Sequence, residues 1–283
     1  MAFSTNSTSP ATVTAGINYA VAPADGSRAY VKVTRNPVTG ERDQNYRTEV
    51  KEVVVENVRG KEGQYNLDNV GFQWIKSPAK HTSFENDQDI KQEYYAESIE
   101  LLKKQTGASK VVIFDHTIRR RRPDQVDTPG NRQPANGAHI DQTTKASIAR
   151  VHRHLPADEA AERLKKRFQI INLWRPISHP AWEWPLALCD YRSADLDKDV
   201  LPVALIYPDF EGETFGVKFN PKHKWKYLRG MTPEEVVLIK CFDSVQDGSV
   251  AVFTPHTAFE DPTSPADAPL RESIELRALV FYD

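Results

Sequence analysis

Apolar and polar residues alternate through much of this chain, which predicts many short strands. Arg28 to Val33 alternates with a period of two, Asn36-Pro37-Val38-Thr39-Gly40 reads as a turn, and Thr48 to Val58 reads as the returning strand. Residues 1–14 are small and polar and are expected to form a flexible arm. Residues 15–85 then make a β-rich N-terminal section that lends strands to the core. Between Asn86 and Gly107 the period changes. Ile90, Tyr94, Ser98, Leu101 and Leu102 recur at helical spacing, Asn86 or Asp87 can cap the start, and Gly107 can end the helix. This helix is expected to pack on a sheet.

Lys110 to Phe114 reads as a short buried strand. Arg122 to Gly137 has loop composition and is long enough to be an active-site lid. Helical sequence runs from Thr143 to His154 and starts again at Pro156-Ala157-Asp158-Glu159. Further strands are expected at Phe168 to Trp174, Pro185 to Asp190, Val200 to Tyr207, Thr214 to Phe219 and Lys224 to Leu228. Val236 to Phe242, Ser249 to Thr254 and Ser273 to Tyr282 complete the set. Short strands at roughly ten-residue spacing indicate a mainly β fold. The best fit is a double-stranded β-helix (jelly roll) with flanking α-helices, one domain over residues 15–283.

Composition narrows the partners. Of the 283 residues, 39% are hydrophobic and 27% charged, enough for a large core, and a net charge of −2 gives no field that favours nucleic acid. The two cysteines, Cys189 and Cys241, form no close motif and read as small buried residues in a reducing compartment. The first ten residues lack the features of a secretory signal, and no stretch is long and apolar enough for a transmembrane helix. A cytoplasmic protein without membrane or nucleic-acid partners is expected, and a homodimer is compatible with this.

His139-Ile140-Asp141 is the sole His-x-Asp in the sequence. On a strand, residues two apart share a face, so an imidazole and a carboxylate can meet at one point. His256, in apolar Phe253-Thr254-Pro255-His256, can add a second imidazole, which makes the two-His-one-carboxylate triad of non-haem iron sites. Arg271 and Arg277 follow on one strand face. That order suits a 2-oxoglutarate-dependent oxygenase, because a guanidinium grips the cosubstrate's distal carboxylate through paired hydrogen bonds. A zinc hydrolase on the same triad and a non-catalytic jelly-roll binding module are the alternatives. Other candidates have blander readings. Arg119 to Arg122 is ordinarily a solvated face, though Arg119 could reach the pocket. Trp174 is ordinarily core, though it and Asn172 could face the pocket, with Trp174 on the substrate and Asn172 on the cosubstrate or a water. His152 and His154 point apart on a helix and read as surface.

The assembled motifs resemble the asaB-type fungal hydroxylase/desaturases, which are non-haem Fe(II)/2-oxoglutarate-dependent dioxygenases of secondary metabolism. The resemblance rests on His139-Ile-Asp141-Gln, Asn172-Leu-Trp174-Arg-Pro176, Lys240-Cys-Phe-Asp243-Ser244, Pro255-His256-Thr-Ala-Phe259-Glu-Asp261-Pro262 and Arg271-Glu-Ser-Ile-Glu-Leu-Arg277, over residues 85–283. It implies His139, Asp141 and His256 as iron ligands and 2-oxoglutarate as cosubstrate. Arg271 would clamp the distal carboxylate with help from Ser273, and Arg277 would meet the other carboxylate. It also implies O2 and a largely apolar terpenoid or meroterpenoid substrate, oxidised by hydroxylation, desaturation or endoperoxidation with release of succinate and CO2. The N-terminal third matches less clearly, and substrate choice is expected to lie there.

Overall fold

A computed structural model describes residues 10–128 and 130–283 of the chain. In chain order its strands are β1 (Thr12–Val21), β2 (Ala29–Arg35), β3 (Arg42–Gln44), β4 (Arg47–Asn57), β5 (Phe72–Lys76), β6 (Lys110–Arg120), β7 (His139–Ile140) and β8 (Phe168–Pro176). They continue as β9 (Leu186–Cys189), β10 (Val200–Ile206), β11 (Glu211–Val217), β12 (Trp225–Tyr227), β13 (Glu235–Asp243), β14 (His256–Ala258) and β15 (Glu272–Phe281). One sheet has the order β1-β4-β12-β9-β14-β7-β11-β10-β2-β3 and the other β5-β13-β8-β15-β6. The two curl into the expected jelly roll.

The smaller sheet is buried on both faces, which explains why its strands read as apolar runs. On β8, Phe168, Ile170 and Trp174 turn inward, while Ile171 and Leu173 face outward. The outward face packs on helix α1 (Tyr95–Thr106) and the helical turns that lead into it, through Ile90, Tyr94 and Leu102. Asn86 caps this helical run by accepting from the Gln88 amide, and Gly107 ends it at φ 72°. Arg175 ties helix to sheet by donating from Nε to Tyr94 Oη at 3.0 Å and from Nη1 to the Pro233 carbonyl at 2.6 Å. Helices α2 (Thr144–His154) and α3 (Ala157–Arg163) follow β7, and Thr143 caps α2.

Several expectations change. Thr48 to Val58 is a strand, but it does not return on Arg28 to Val33. It pairs antiparallel with β1 along the whole of that strand, from Thr12↔Glu56 to Val21↔Arg47. β1 alternates, burying Val13, Ala15, Ile17 and Tyr19 and exposing Thr12, Thr14 and Gly16 between them. It includes Thr12 to Thr14, the end of the expected arm, whose residues 1–9 lie outside the described residues. β5 is an additional strand. Lys110 to Phe114 is only the first half of β6, which continues through Arg119. Ser249 to Thr254 pairs with no strand and instead delivers His256. Both cysteines are buried and free. No helix among the described residues is long and apolar enough to cross a membrane.

The segment before His256 is held by Gly71. Its carbonyl accepts from the Lys240 amide at 2.7 Å and from Thr254 Oγ1 at 2.6 Å. Gly71 sits at φ 93°, and a Cβ there would overlap Thr254 Oγ1 and come within 3.0 Å of the Phe253 carbonyl. Gly71→Ala should therefore cost roughly 2–5 kcal/mol through strain and overlap together. Guanidinium unfolding checks this, and a loss below about 0.5 kcal/mol, the size of an ordinary surface change, would contradict it.

Candidate metal centre and active-site cavity

His139 opens β7, His256 opens β14, and the two stand directly opposite in an antiparallel pair. Their ring centroids are 4.4 Å apart. Asp141 follows β7 on the same face as His139. One ligand atom from each of His139, Asp141 and His256 lies within 4.8 Å of the others. The backbone orients both rings. His139 Nδ1 donates to the Gly137 carbonyl at 2.8 Å, and His256 Nδ1 donates to the Thr254 carbonyl at 2.9 Å. A carbonyl only accepts, so the proton belongs on Nδ1 and each Nε2 lone pair is left for a metal.

Asp141 is restrained through one oxygen. Its Oδ2 accepts from Asn172 Nδ2 at 2.7 Å and from Arg277 Nε at 3.1 Å, while Oδ1 lies 3.4 Å from His139 Nε2. Burial disfavours the Asp141 anion, but Arg277 and the two histidines outweigh it and hold its pKa well below the usual range. Burial and then His139 push His256 below its ordinary value. For His139, burial acts against the charged form, and the Asp141 carboxylate outweighs it, so its pKa is raised. Two imidazoles and one carboxylate, each with an oriented ligand atom, make a donor set that fits iron(II).

The two arginines of the last strand have different surroundings. Arg277 is surrounded by carboxylates: besides Asp141, its Nη1 meets Asp115 Oδ1 at 3.1 Å and its Nη2 meets Glu275 at 3.2 Å. Burial works against its charge, and these anions outweigh burial and raise its pKa far above the usual value. Arg271 is also buried, yet no carboxylate among the described residues pairs with its guanidinium. Its Nη1 donates to the Trp184 carbonyl at 2.6 Å, and its guanidinium lies 5.6 Å from the centre of the Trp174 ring. Its Nε has no partner, and neither has the nearby buried Ser273 Oγ. Burial, helped by Arg119, lowers the Arg271 pKa to about 9, so it stays a cation at neutral pH. Trp184, which supplies that carbonyl, holds a left-handed φ of 47°, a conformation that costs on the order of 1–3 kcal/mol for a non-glycine residue.

A cavity of about 730 Å³ opens onto His139 and Asp141. Val31, Val33 and Tyr46 from the N-terminal section face it together with Val203, Leu205 and Tyr207. The rest of its wall mixes apolar residues such as Phe215 with polar ones and includes Arg119, whose Nη1 donates to the Gln133 carbonyl at 3.0 Å. Part of the Arg122 to Gly137 loop forms this wall. Asp127 ties that loop down by accepting from Arg42 at 2.9 Å and Arg132 at 3.1 Å. The run Arg119 to Arg122 is split by strand alternation: Arg119 faces the cavity, while Arg120 meets the exposed Glu85. Trp174 is core and also floors Arg271. Asn172 Nδ2 donates to Asp141 and to Glu275, at 2.7 and 2.6 Å, and its Oδ1 has no partner. Sequence reasoning missed Glu275 and Asp115. Glu275 was readable, since it sits between Ser273 and Arg277 on the same alternating face.

A jelly roll whose paired strands converge two histidines and an aspartate on one cavity is the frame of a metal-dependent oxidising enzyme. A family profile described as an oxidoreductase/YMDC permease-like domain matches residues 17–281. The hydroxylase/desaturase efuI of Hormonema carpetanum is 37% identical over 96% of each chain. The Fe(II)/2-oxoglutarate-dependent dioxygenase nvfI of Aspergillus novofumigatus is 32% identical over 89% of this chain and 90% of that one. A solved structure of the iron and alpha-ketoglutarate-dependent endoperoxidase NvfI superposes with a TM-score of 0.86 at 29% identity, over 97% of this chain and 99% of that one. The chain belongs to this fungal family of Fe(II)/2-oxoglutarate-dependent hydroxylase/desaturases.

Asn172→Ala removes a donor from Asp141 and leaves its orientation to Arg277 alone. It should weaken divalent-metal binding by roughly 10–100-fold, the usual effect of losing a group that orients a ligand. Titration of the metal-free protein with Mn(II) reads this, and an unchanged affinity would show that the amide does not orient Asp141.

Proposed function

We propose that the chain oxidises a small molecule with an apolar body, a terpenoid or meroterpenoid, at iron held by His139, Asp141 and His256. 2-Oxoglutarate is consumed to succinate and CO2, and the reaction runs in the cytoplasm. Iron(II), when bound, supplies one-electron and O2 chemistry. The protein supplies placement. Nδ1–H donation to Gly137 and Thr254 aims both imidazoles. Arg277 and Asn172 keep Asp141 ionised and turned, with Oδ1 free to ligate. Arg271 and Ser273 take the distal carboxylate of 2-oxoglutarate, and Arg119 adds positive charge beside them. Trp174 floors the Arg271 end of the site, away from the cavity that takes the substrate. Hydroxylation, desaturation and endoperoxidation share this placement and differ in which substrate carbon meets the metal.

One observation carries the reading: Arg271 is a buried cation with an unpaired Nε beside an unpaired Ser273 hydroxyl. A zinc hydrolase has no use for that pair, and a dicarboxylate cosubstrate does. Arg277 is a poorer anchor because its guanidinium is already shared among Asp141, Asp115 and Glu275.

Alanine at His139, Asp141 or His256 should stop succinate formation while the thermal melt stays cooperative. Full iron content with normal turnover in any one of them would remove that residue from the triad. Arg271→Ala should raise the Michaelis constant for 2-oxoglutarate by roughly 100-fold or more, since a buried charge loses its counterpart. Arg271→Lys should recover part of this, because an ammonium cannot make the paired contact. Iron binding should survive both changes. If Arg277→Ala alone destroys 2-oxoglutarate affinity, the anchor is Arg277; if neither arginine matters, the cosubstrate assignment fails.

A further inference from the structure

Arg150 projects from α2 and lines the main cavity, and it also lines a smaller cleft between α2 and the β10–β11 hairpin. The two spaces share Asp141, Gln142, Leu205 and Tyr207, so Arg150 stands where they join beside the metal centre. Its guanidinium lies 5.1 Å from the centre of the Phe114 ring. That ring is its one recorded partner. No hydrogen bond or ion pair reaches Arg150 among the described residues, although it is half-buried. The charged groups nearest it do not neutralise it. Asp115 attracts it but already pairs with Arg277 at 3.1 Å, and Arg153 and Arg277 repel it.

The charge of the whole cavity points the same way. Six arginines and three aspartates line it, and Glu275 pairs with Arg277 behind the wall, which leaves two positive charges uncancelled. Iron(II) and the 2-oxoglutarate dianion bring opposite and equal charges, so their arrival does not remove the excess. Arg42 and Arg132 are tied to Asp127, Arg35 to the Asp127 and Gly40 carbonyls, Arg277 to its carboxylates, and Arg119 to the Gln133 carbonyl. Arg150 is left with its donors free. In the same cavity, Val31, Val33, Val203 and Leu205 offer apolar surface. A cavity with one free guanidinium and an apolar wall suits an amphipathic acid.

We propose that Arg150 anchors a carboxylate carried by the otherwise apolar substrate, and so sets which molecules enter and which carbon faces the metal. This deepens the oxygenase reading and rests on it. The acid is held through paired donation from Arg150, and its body lies along the apolar wall. A neutral ester of the same skeleton loses the charge and half of the acceptor capacity.

The test is calorimetric binding of acid and ester pairs to the protein loaded with Mn(II) and 2-oxoglutarate: abietic acid, oleanolic acid and dodecanoic acid, each against its methyl ester. The wild type should prefer the acid by about tenfold or more in at least one pair, the scale of a hydrogen bond to a charged group. Arg150→Gln should level acid and ester by weakening the acid. Arg150→Lys, which keeps the charge and the stem, should retain part of the preference. Equal binding of acid and ester by the wild type in every pair, binding of neither, or a preference that survives Arg150→Gln would overturn the proposal. 2-Oxoglutarate affinity of the same proteins loaded with Mn(II) separates the two levels. If Arg150→Gln weakens 2-oxoglutarate instead of the acids, Arg150 belongs to the cosubstrate and the proposal fails. If the wild type binds the acids selectively but not 2-oxoglutarate, the oxygenase reading fails instead.

Discussion

The site depends on how a row of buried charge is balanced inside a β-barrel. Arg271, Ser273, Glu275 and Arg277 all turn inward at the end of the chain, where an unpaired charge is costly. At one end of the row the guanidinium has its partners, because Arg277 is shared among three carboxylates, one of which is Asp141. That pairing keeps Asp141 ionised and oriented. At the other end the balance is incomplete. Arg271 has a carbonyl and an aromatic ring but no anion, and its Nε is bare. The same strand thus holds an ion network that shapes Asp141 and a buried guanidinium that no carboxylate pairs with among the described residues.

The two sheets divide the work. The large sheet supplies both imidazoles from paired strands, and the small sheet supplies the groups that orient Asp141. The path to His256 runs through close backbone contact rather than a strand ladder, from Gly71 to Thr254 to the His256 ring. The N-terminal section is part of the same machine. Its β1 pairs along β4, while β2 lies parallel to β10 and places Val31 and Val33 on the cavity wall. Residues from both ends of the chain therefore border the same cavity.

Much of this was legible in the sequence. His139-x-Asp141 could be read because strand parity is simple, and the distal His256 and Arg271 followed from order and residue type. The buried strands of the small sheet announced themselves as apolar runs. What could not be read was which strands pair. β1 alternates as a strand should, but its match to β4 depends on packing across a long sequence separation. The long-range contacts were equally hidden: Asp115 on β6 reaches Arg277, and Asn172 on β8 reaches Asp141, only through the sheet order. Parity alone put Arg271 and Arg277 on one face and could not tell a satisfied guanidinium from a bare one.

The central claim is that His139, Asp141 and His256 form the iron centre and that 2-oxoglutarate runs from it to Arg271. Anomalous scattering at the iron edge, from crystals grown without oxygen in Fe(II) and 2-oxoglutarate, tests this directly. The account predicts one strong peak within bonding distance of Nε2 of His139, Nε2 of His256 and Oδ1 of Asp141, with the distal carboxylate seated on Arg271 and Ser273. A peak at other residues, or a dicarboxylate paired with Arg277 while Arg271 stays bare, would contradict it.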